Sequence, residues 1–279
     1  MNSLRFRKMF GLMIFVISMF ICSRGLSDAG IDPNAILARM HEVYAKAETY
    51  QDTGVVETIM DFGSRKQALT KTFSIAFKRP TSIKIEWIDT QYGGQKTRSV
   101  LWSDGKLTQT FWEQLNQVQK SQSLMMGIAG ATGVSGGAAH TVPSMLLNNL
   151  KIPALSMLTN VKLLHEEKFE DVQCYVIVGK HPAGFDYTLW IGKSDYLLRK
   201  SEYVVKSHME VMKEAEAELA KINKENKISM PDTSKMPDFS SVNRQIHRGI
   251  KLNEEIPDAV ITFTPPENAK HVDSFQVGQ

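Results

Sequence analysis

The sequence predicts a mainly β protein, with some helix, organised around a long antiparallel sheet. One observation is the stretch Tyr187–Val205, where two runs of bulky and β-branched residues meet at the turn-like segment Gly192–Asp195. The other is the alternation of apolar and polar residues along 72–78 and 82–87. Alternation of this kind is typical of an antiparallel sheet with one face in the core and one face in water. The remaining elements are expected to connect or cover this sheet.

Residues 1–25 have the features of a secretory signal peptide. Basic residues at positions 5, 7 and 8 precede the apolar run Met9–Cys22, and the small-residue pattern Ser23-Arg24-Gly25 follows it. The run of 14 residues is shorter than the roughly 20 that a membrane-spanning helix needs. We therefore expect export and cleavage near Gly25, with retention as an uncleaved N-terminal anchor as the alternative.

The charge and cysteine content of the remaining chain exclude some classes of protein. Loss of residues 1–25 would remove 4 of the 33 basic residues and none of the 30 acidic ones, leaving a formal net charge of −1. A chain without a basic excess gives no electrostatic case for nucleic-acid binding. Cys174 would then be the only cysteine, so no intramolecular disulfide can form. About 250 residues are enough for one β domain that is stabilised by its core.

The first part of this chain predicts one helix and then a meander of strands. Asp32-Pro33 has the composition of a helix start, and the apolar residues of Asn34–Thr49 form one stripe that must cover a sheet face. His41 lies off the centre of this stripe and is predicted to be in solvent. Asp104-Gly105 predicts a tight hairpin. The five strands predicted here are 54–60, 72–78, 82–87, 100–103 and 107–112.

The middle of the chain departs from strand composition. Leu124-Met125-Met126 is followed by the small-residue run Gly127–Ala139. This run lacks the Gly-Lys-Ser/Thr ending of a phosphate-binding loop. We interpret it as a mobile, glycine-rich connection, which is also what a lid over a groove would look like. The segments Pro143–Leu150 and Pro153–Leu158 are predicted to be short apolar helices.

Strands are predicted to return at 161–169 and 172–178, with Glu170-Asp171 as the turn between them. Both faces of the second strand are apolar, which indicates a central position covered on both sides. Cys174 on this strand is therefore interpreted as a small buried hydrophobe and not as a nucleophile. Near the end of the chain, Val260–Thr264 is predicted to be a last strand that stops at Pro265-Pro266.

Segment 206–243 is interpreted as an insertion in a hairpin whose strands are 196–205 and 244–252. Residues Lys206–Lys227 are rich in Glu, Lys and Ala and carry a thin apolar stripe, which predicts an exposed helix. The proline-containing remainder of the segment is typical of a linker.

No combination of residues predicts catalysis. None of the seven histidines has a partner at the fourth following position or a nearby cysteine, so the usual metal-binding spacing is absent from the sequence. His165-Glu166-Glu167 could combine acid and base groups, but strand neighbours point to opposite faces, which favours a charged edge. We expect no enzyme activity, no metal and no cofactor.

Several short phrases occur in an order that is more specific than any of them alone. They are Ala47–Asp52, Phe77–Pro80, Trp102–Lys106, Thr188–Ile191, Tyr196–Lys200, Ile256–Asp258 and Phe263–Pro266. In this order the chain resembles the periplasmic lipoprotein-carrier superfamily (LolA/LolB-like), especially its predicted periplasmic or outer-membrane lipoprotein-sorting branch. The 206–243 segment and the 127–139 run are not part of the carrier pattern.

This resemblance implies a strongly curved antiparallel sheet that forms an incomplete, half-open β-barrel covered by helices. In the carriers the hollow receives the acyl chains of lipoproteins. For 26–279 it implies one such domain in an exported, non-enzymatic binding protein of the periplasm, associated with the inner or outer membrane and acting in lipoprotein sorting or transport. The residues expected to line the hollow are Phe73, Ile75, Phe77, Ile83, Ile85, Trp87, Trp102, Met125 and Met126.

The alternative is a regulatory protein on the same fold, similar to the RseB-like envelope-stress sensors. In that case the charged helix predicted within 206–227 would bind an envelope protein partner.

Overall fold

The computed structural model describes residues 31–90, 94–150, 155–182, 184–207 and 239–276, and within them twelve strands form one sheet. The predicted signal peptide and most of the predicted insertion lie outside the described residues. The strands are β1 (Thr49–Asp61), β2 (Lys66–Lys78), β3 (Ser82–Thr90), β4 (Lys96–Asp104), β5 (Thr108–Trp112), β6 (Gln117–Ser121), β7 (Thr159–Phe169), β8 (Val172–Lys180), β9 (Asp186–Gly192), β10 (Leu198–Val205), β11 (Ser240–Leu252) and β12 (Lys270–Val272).

Within the described residues the helices are few and short, and all of these but α4 precede β7. They are α1 (Pro33–Ala45), α2 (Leu124–Val134), α3 (Pro143–Leu146) and α4 (Asp258–Ile261), with 3₁₀ turns at Glu113–Leu115, Asn148–Leu150 and Leu155–Met157. Among the described helices, none is both long enough and apolar enough to cross a membrane.

The sheet has the order β12-β6-β5-β4-β3-β2-β1-β11-β10-β9-β8-β7 and is curved without closing on itself. Neighbouring strands are antiparallel except for β12, which runs parallel to β6. The strands β1–β6 form one meander and β7–β10 a second. Strand β11 joins the two because it pairs with β1 on one side and β10 on the other. The predicted fold class, an incomplete barrel with helices, is confirmed.

The inner face of the sheet, defined as the face that α1 and α2 cover, carries the main core. Strand register places Phe77 opposite Ile83, and Ile75 opposite Ile85. Ile36, Leu37, Met40 and Tyr44 of α1 are buried in the same cluster. The apolar side chains that alternate along β2 and β3 therefore lie on the covered face of the sheet, as the sequence predicts.

Helix α1 begins where the sequence predicts, because Asp32 caps it. The Asp32 carboxylate accepts a hydrogen bond from the Asn34 amide at 2.9 Å, and Pro33 occupies the first turn. The prediction that His41 lies in solvent was wrong. Its ring is half-buried, and burial lowers its pKa from 6.5 to about 4, partly opposed by a hydrogen bond with the backbone of Leu155.

The prediction of a glycine-rich connection after Met126 was wrong, since Leu124–Val134 is helical. The Ser123 hydroxyl caps this helix by accepting from the Met126 amide at 3.2 Å. A Cβ atom at Gly127 would lie 2.7 Å from Cγ2 of Thr108 and 3.2 Å from Cδ1 of Leu101. Small residues in this helix therefore serve close contact with the sheet.

Two boundaries near the C-terminus also differ from prediction. Strand β11 begins at Ser240, so 240–243 belong to the sheet and not to the insertion. The prediction of a strand at Val260–Thr264 was wrong: Val260 and Ile261 end the helical turn α4, and 262–264 have no regular secondary structure. Ile256, just before α4, and Ile261, the last residue of α4, are buried together against Ala76.

Other predictions were confirmed. The 170–171 turn joins β7 to β8, and Cys174 on β8 is fully buried. Gly192–Asp195 joins β9 to β10, whose strands pair as expected. The first part of Pro143–Leu150 is helical, and its last three residues form a 3₁₀ turn.

Candidate functional site

A cavity of about 590 Å³ lies between the inner face of strands β2–β6 and helix α2. Strand register explains why space remains there. Ser99 stands opposite Trp87 on one side and opposite Trp112 on the other, so a small side chain separates two large rings. Thr110 and Gln119 form the next cross-strand pair toward β6. All five side chains line the cavity, which therefore has aromatic walls and a polar floor.

Helix α2 forms the cover of this cavity. Gly127, Ile128 and Ala131 face the sheet and are buried. Met126, Gly130 and Val134 follow at spacings of four residues, so they share one stripe that faces both the cavity and solvent. This stripe forms an apolar rim over the polar floor.

The C-terminal segment closes one side of the cavity. Phe275 packs edge-on against Trp112, with 5.5 Å between ring centroids and 89° between ring planes. Two glutamine side chains of β6 hold the backbone of this segment in place. The Gln276 amide donates to Oε1 of Gln117 at 3.0 Å, and Nε2 of Gln119 donates to the Asp273 carbonyl at 3.0 Å. Sequence reasoning missed this wall, because a three-residue parallel strand has no detectable pattern.

A lysine joins the floor of the cavity to its cover. Lys71 on β2 forms an ion pair with Asp89, its cross-strand neighbour on β3. Its ammonium also donates to the Val134 carbonyl at 2.8 Å. The last carbonyls of a helix lack partners within the helix and carry partial negative charge, so a cation there stabilises the end of α2.

Two of the predicted site residues, Trp87 and Met126, line this cavity. Phe73, Ile75, Phe77, Ile83 and Ile85 lie on the predicted face, but they are part of the packed core and at most 4% exposed. Side chains of α1 and of 138–147 fill the space over them. That part of the hollow is therefore occupied by the protein itself.

The remaining two predicted residues lie outside the cavity. Trp102 was placed on the wrong face, because its strand neighbour Leu101 is the residue that points inward. The Trp102 ring packs on the outer face against Phe263, 4.9 Å between centroids. Met125 is 46% exposed on the solvent side of α2 and does not line the cavity.

A buried polar group lies on the inner face beside the core. Asp52 on β1 accepts from the Tyr50 hydroxyl at 2.8 Å, and Nδ1 of His247 on β11 is 2.6 Å from the same oxygen. The side chains of Asp52 and His247 are fully buried, and burial raises the pKa of Tyr50 well above its usual value. The group has no exposed surface, so it joins β1 to β11 and is not a site for a ligand from solution.

Two side-chain amides of β11 form hydrogen bonds with the backbone of the turn that follows α2. Nδ2 of Asn243 and Nε2 of Gln245 donate to the Gly136 carbonyl at 3.4 and 3.3 Å. Gly136 has a φ of +64°, and a Cβ there would lie 2.8 Å from Cγ1 of Val56. Glycine is needed at this point both for the backbone conformation and for the close approach.

Within the described ranges, no three His, Cys, Asp or Glu side chains are grouped as ligands of a metal ion. The candidate site is therefore the cavity of a half-open β-barrel, covered by the short helix α2.

No protein-family model and no curated protein matches the sequence. Similar solved structures include a LolA superfamily protein from Nitrosomonas europaea, at 14% identity and a TM-score of 0.29, with 84% of this chain and 99% of that chain covered. The Mycobacterium tuberculosis lipoprotein LppX has 12% identity and a TM-score of 0.41, with 81% and 97% covered. The Pseudomonas aeruginosa MucA/MucB complex has 11% identity and a TM-score of 0.33, with 84% of this chain and 61% of that chain covered.

A LolA superfamily member is thus among the similar structures. Likenesses at these identities and TM-scores carry no argument about function, which has to come from the residues of this chain.

Proposed function

We propose that this chain is an exported, non-enzymatic binding protein that holds acyl chains, of a lipid or of a lipoprotein, in the cavity under α2. The observation that supports the proposal is the cavity itself, with its volume of about 590 Å³ and its walls of Trp87, Trp112 and Phe275. Ligand sites in proteins have volumes of roughly 300–1,000 Å³ and are mostly lined by apolar and aromatic side chains.

The lining suits a ligand with a long apolar part. Each methylene that leaves water for an apolar site contributes about 0.8 kcal/mol. Met126 and Val134 border the cavity on the cover, and the flexible thioether of methionine adapts to chains of different shape.

The floor suits a polar end of the same ligand. Ser99, Thr110 and Gln119 present hydroxyl and amide groups there, and the Lys71–Asp89 pair lies at one side. A lipid has both an apolar chain and a polar head, so the two kinds of lining favour an amphipathic ligand over a pure hydrocarbon.

A role in lipoprotein sorting or transport across the periplasm is part of this proposal, and so is association with the inner or outer membrane. Its supports are the signal-like residues 1–25 and the resemblance of the sequence to the carriers. The regulatory alternative depends on the charged segment 206–227, of which only 206 and 207 lie within the described residues, so no described residue favours it.

The proposal is tested by titrating a fluorescent fatty-acyl probe into the wild type and into Met126→Glu. A carboxylate at this position would face the bound chain, and burying an unpaired charge is costly. We expect the probe affinity to fall at least roughly tenfold, equivalent to about 1.4 kcal/mol. The side chain of Met126 is 53% exposed in the free protein, so the melting temperature should change little.

The matched control is Met125→Glu. Met125 is the preceding residue of the same helix and is 46% exposed, but it does not line the cavity. It should bind the probe as the wild type does. Equal affinity of all three proteins, or no probe binding by the wild type, would reject the cavity as an acyl site.

A further inference from the structure

Helix α2 has a solvent side without a single charged group. Asp, Glu, Lys and Arg are absent from Ser121–Leu150, although such residues make up 23% of the chain. Exposed helix faces of soluble proteins normally carry charged and polar residues. The exposed positions of α2 are Met125, Met126, Ala129, Gly130, Gly133 and Val134.

The apolar exposure is concentrated on this helix. Met125, Met126 and Val134 are 46%, 53% and 45% exposed, and they are three of the nine large hydrophobic residues with high exposure in the described part of the chain. Scattered exposed hydrophobic residues need no explanation, whereas a contiguous apolar patch marks an interaction surface.

We propose that the solvent side of α2 is a docking surface for a lipid bilayer with anionic headgroups. This inference rests on the proposed function, because it supplies the route by which an acyl chain would reach the cavity. An apolar helix face free of charge can lie in the plane of the interface, with its side chains at the boundary of headgroups and acyl chains.

Continuity between this surface and the cavity favours a bilayer over a protein partner. Met126, Gly130 and Val134 are exposed and also line the cavity. With α2 against a bilayer, the rim of the cavity would open at the level of the acyl chains. A chain could then pass between membrane and cavity without crossing water.

The charges at the rim are consistent with anionic headgroups. Lys120 is exposed and lines the cavity four residues before α2 begins, where it could meet a lipid phosphate. Lys71 is already paired with Asp89, and Asp273 also lines the cavity. The electrostatic gain is therefore limited to about one lysine, and apolar contact supplies most of the affinity.

The test uses the full chain with a local reporter on α2. Met125→Cys is made in a Cys22→Ser background and labelled with an environment-sensitive fluorophore; Cys174 is fully buried and will not react. Phosphatidylcholine vesicles are added, with and without phosphatidylglycerol. The label reports its own surroundings, so membrane binding by residues 9–22 does not imitate the signal.

The matched control is Met157→Cys. Met157 is 45% exposed and lies in the 3₁₀ turn before β7, at the opposite end of the strand order from the strands that α2 covers. We expect a blue shift for the label at 125 and none at 157. Phosphatidylglycerol should lower the lipid concentration at the midpoint by up to about fivefold, and Lys120→Gln should remove most of that gain.

The absence of a shift at 125, or an equal shift at 157, would overturn the docking surface. A shift that appears without vesicles and grows with protein concentration would overturn it in favour of a second copy of the chain. Failure of the docking surface is distinguishable from failure of the cavity proposal. Met125→Glu changes the docking surface but does not line the cavity, so binding of the acyl probe by this variant in solution tests the cavity alone.

Discussion

Single side chains decide where the inner face has room and where it is filled. Ser99 leaves a gap between Trp87 and Trp112, whereas Ile85 and Phe77, on the same face, meet side chains that fill the space above them. A charge at Phe77 would therefore report on stability and not on ligand binding. Alternation along a strand identifies the face that a residue occupies, but whether that face is covered by protein depends on elements far away in the chain.

His41 leads to a prediction about pH. Its pKa in the folded protein is about 4, below the ordinary value of 6.5 that applies in the unfolded chain, because burial disfavours the charged ring. Between these two values the unfolded chain binds a proton that the folded chain does not. Stability contributed by the neutral ring is therefore complete above pH 6.5, is lost as the pH falls toward 4, and changes no further below it.

We expect the free energy of unfolding to fall between pH 7 and pH 5 by of order 1–2 kcal/mol more in the wild type than in His41→Gln, which cannot titrate there. Urea denaturation of both proteins at the two pH values measures this difference. Identical pH dependence in the two proteins would show that His41 is protonated equally in both states.

At the scale of elements, the strands were predictable and the cover was not. Strands β2 and β3 alternate strictly, and each buries its apolar face. Helix α2 has no such pattern: glycine and alanine contact the sheet while methionine faces solvent, so composition alone suggested a connection. For the run 127–139, the comparison with a lid over a groove agrees with the observed helix better than the expected irregular connection does. Only the packing of Gly127 against Thr108 and Leu101 shows why small residues form a helix there.

The interpretation of 206–243 as an insertion stays a prediction, with its boundary corrected. Val205 pairs with Ser241, so the chain leaves and re-enters the sheet at adjacent points. Deleting 208–238 and joining Ser207 to Phe239 through a short turn should preserve a cooperative thermal transition within a few degrees of the wild type. Circular dichroism during heating measures this.

The contrasting variant deletes 208–242. It removes Ser241 and Val242, which pair with Met60 and Ile59 of β1 as well as with β10. A lower melting temperature is expected for this variant alone. If both deletions abolish folding, the segment is part of the domain and not an insertion.

At the scale of the whole molecule, the prediction of export concerns the residues that precede the described part. Asp32–Gln279 forms one compact unit, and its first helix is capped by Asp32. Cleavage near Gly25 would leave this cap intact. N-terminal sequencing of the protein from the cell envelope should find a start between Leu26 and Gly30, and an intact Met1 would indicate a retained anchor instead.

The class of fold could be predicted from the sequence, whereas the position of the cavity could not. The cavity is built from β2–β6, α2 and Phe275, and the last of these is more than 150 positions from the strand it closes. The Tyr50–Asp52–His247 group was missed for the same reason, since Asp52 and His247 are 195 positions apart. Local patterns identify elements, and only the topology shows which of them meet.

The position of β11 between β1 and β10 has a consequence for the order in which the chain can fold. During synthesis, β1–β6 can pair as soon as they emerge, but one edge of β1 lacks its partner until Ser240–Leu252 has been made. Pairing between strands so distant in sequence is slow, and an open edge with a full row of free amides and carbonyls invites wrong partners. A nascent chain that stalls before residue 240 therefore leaves one edge of the 13-residue strand β1 unpaired. For this protein, a chaperone that shields β1 would matter most while residues 122–252, nearly half of the chain, are being made.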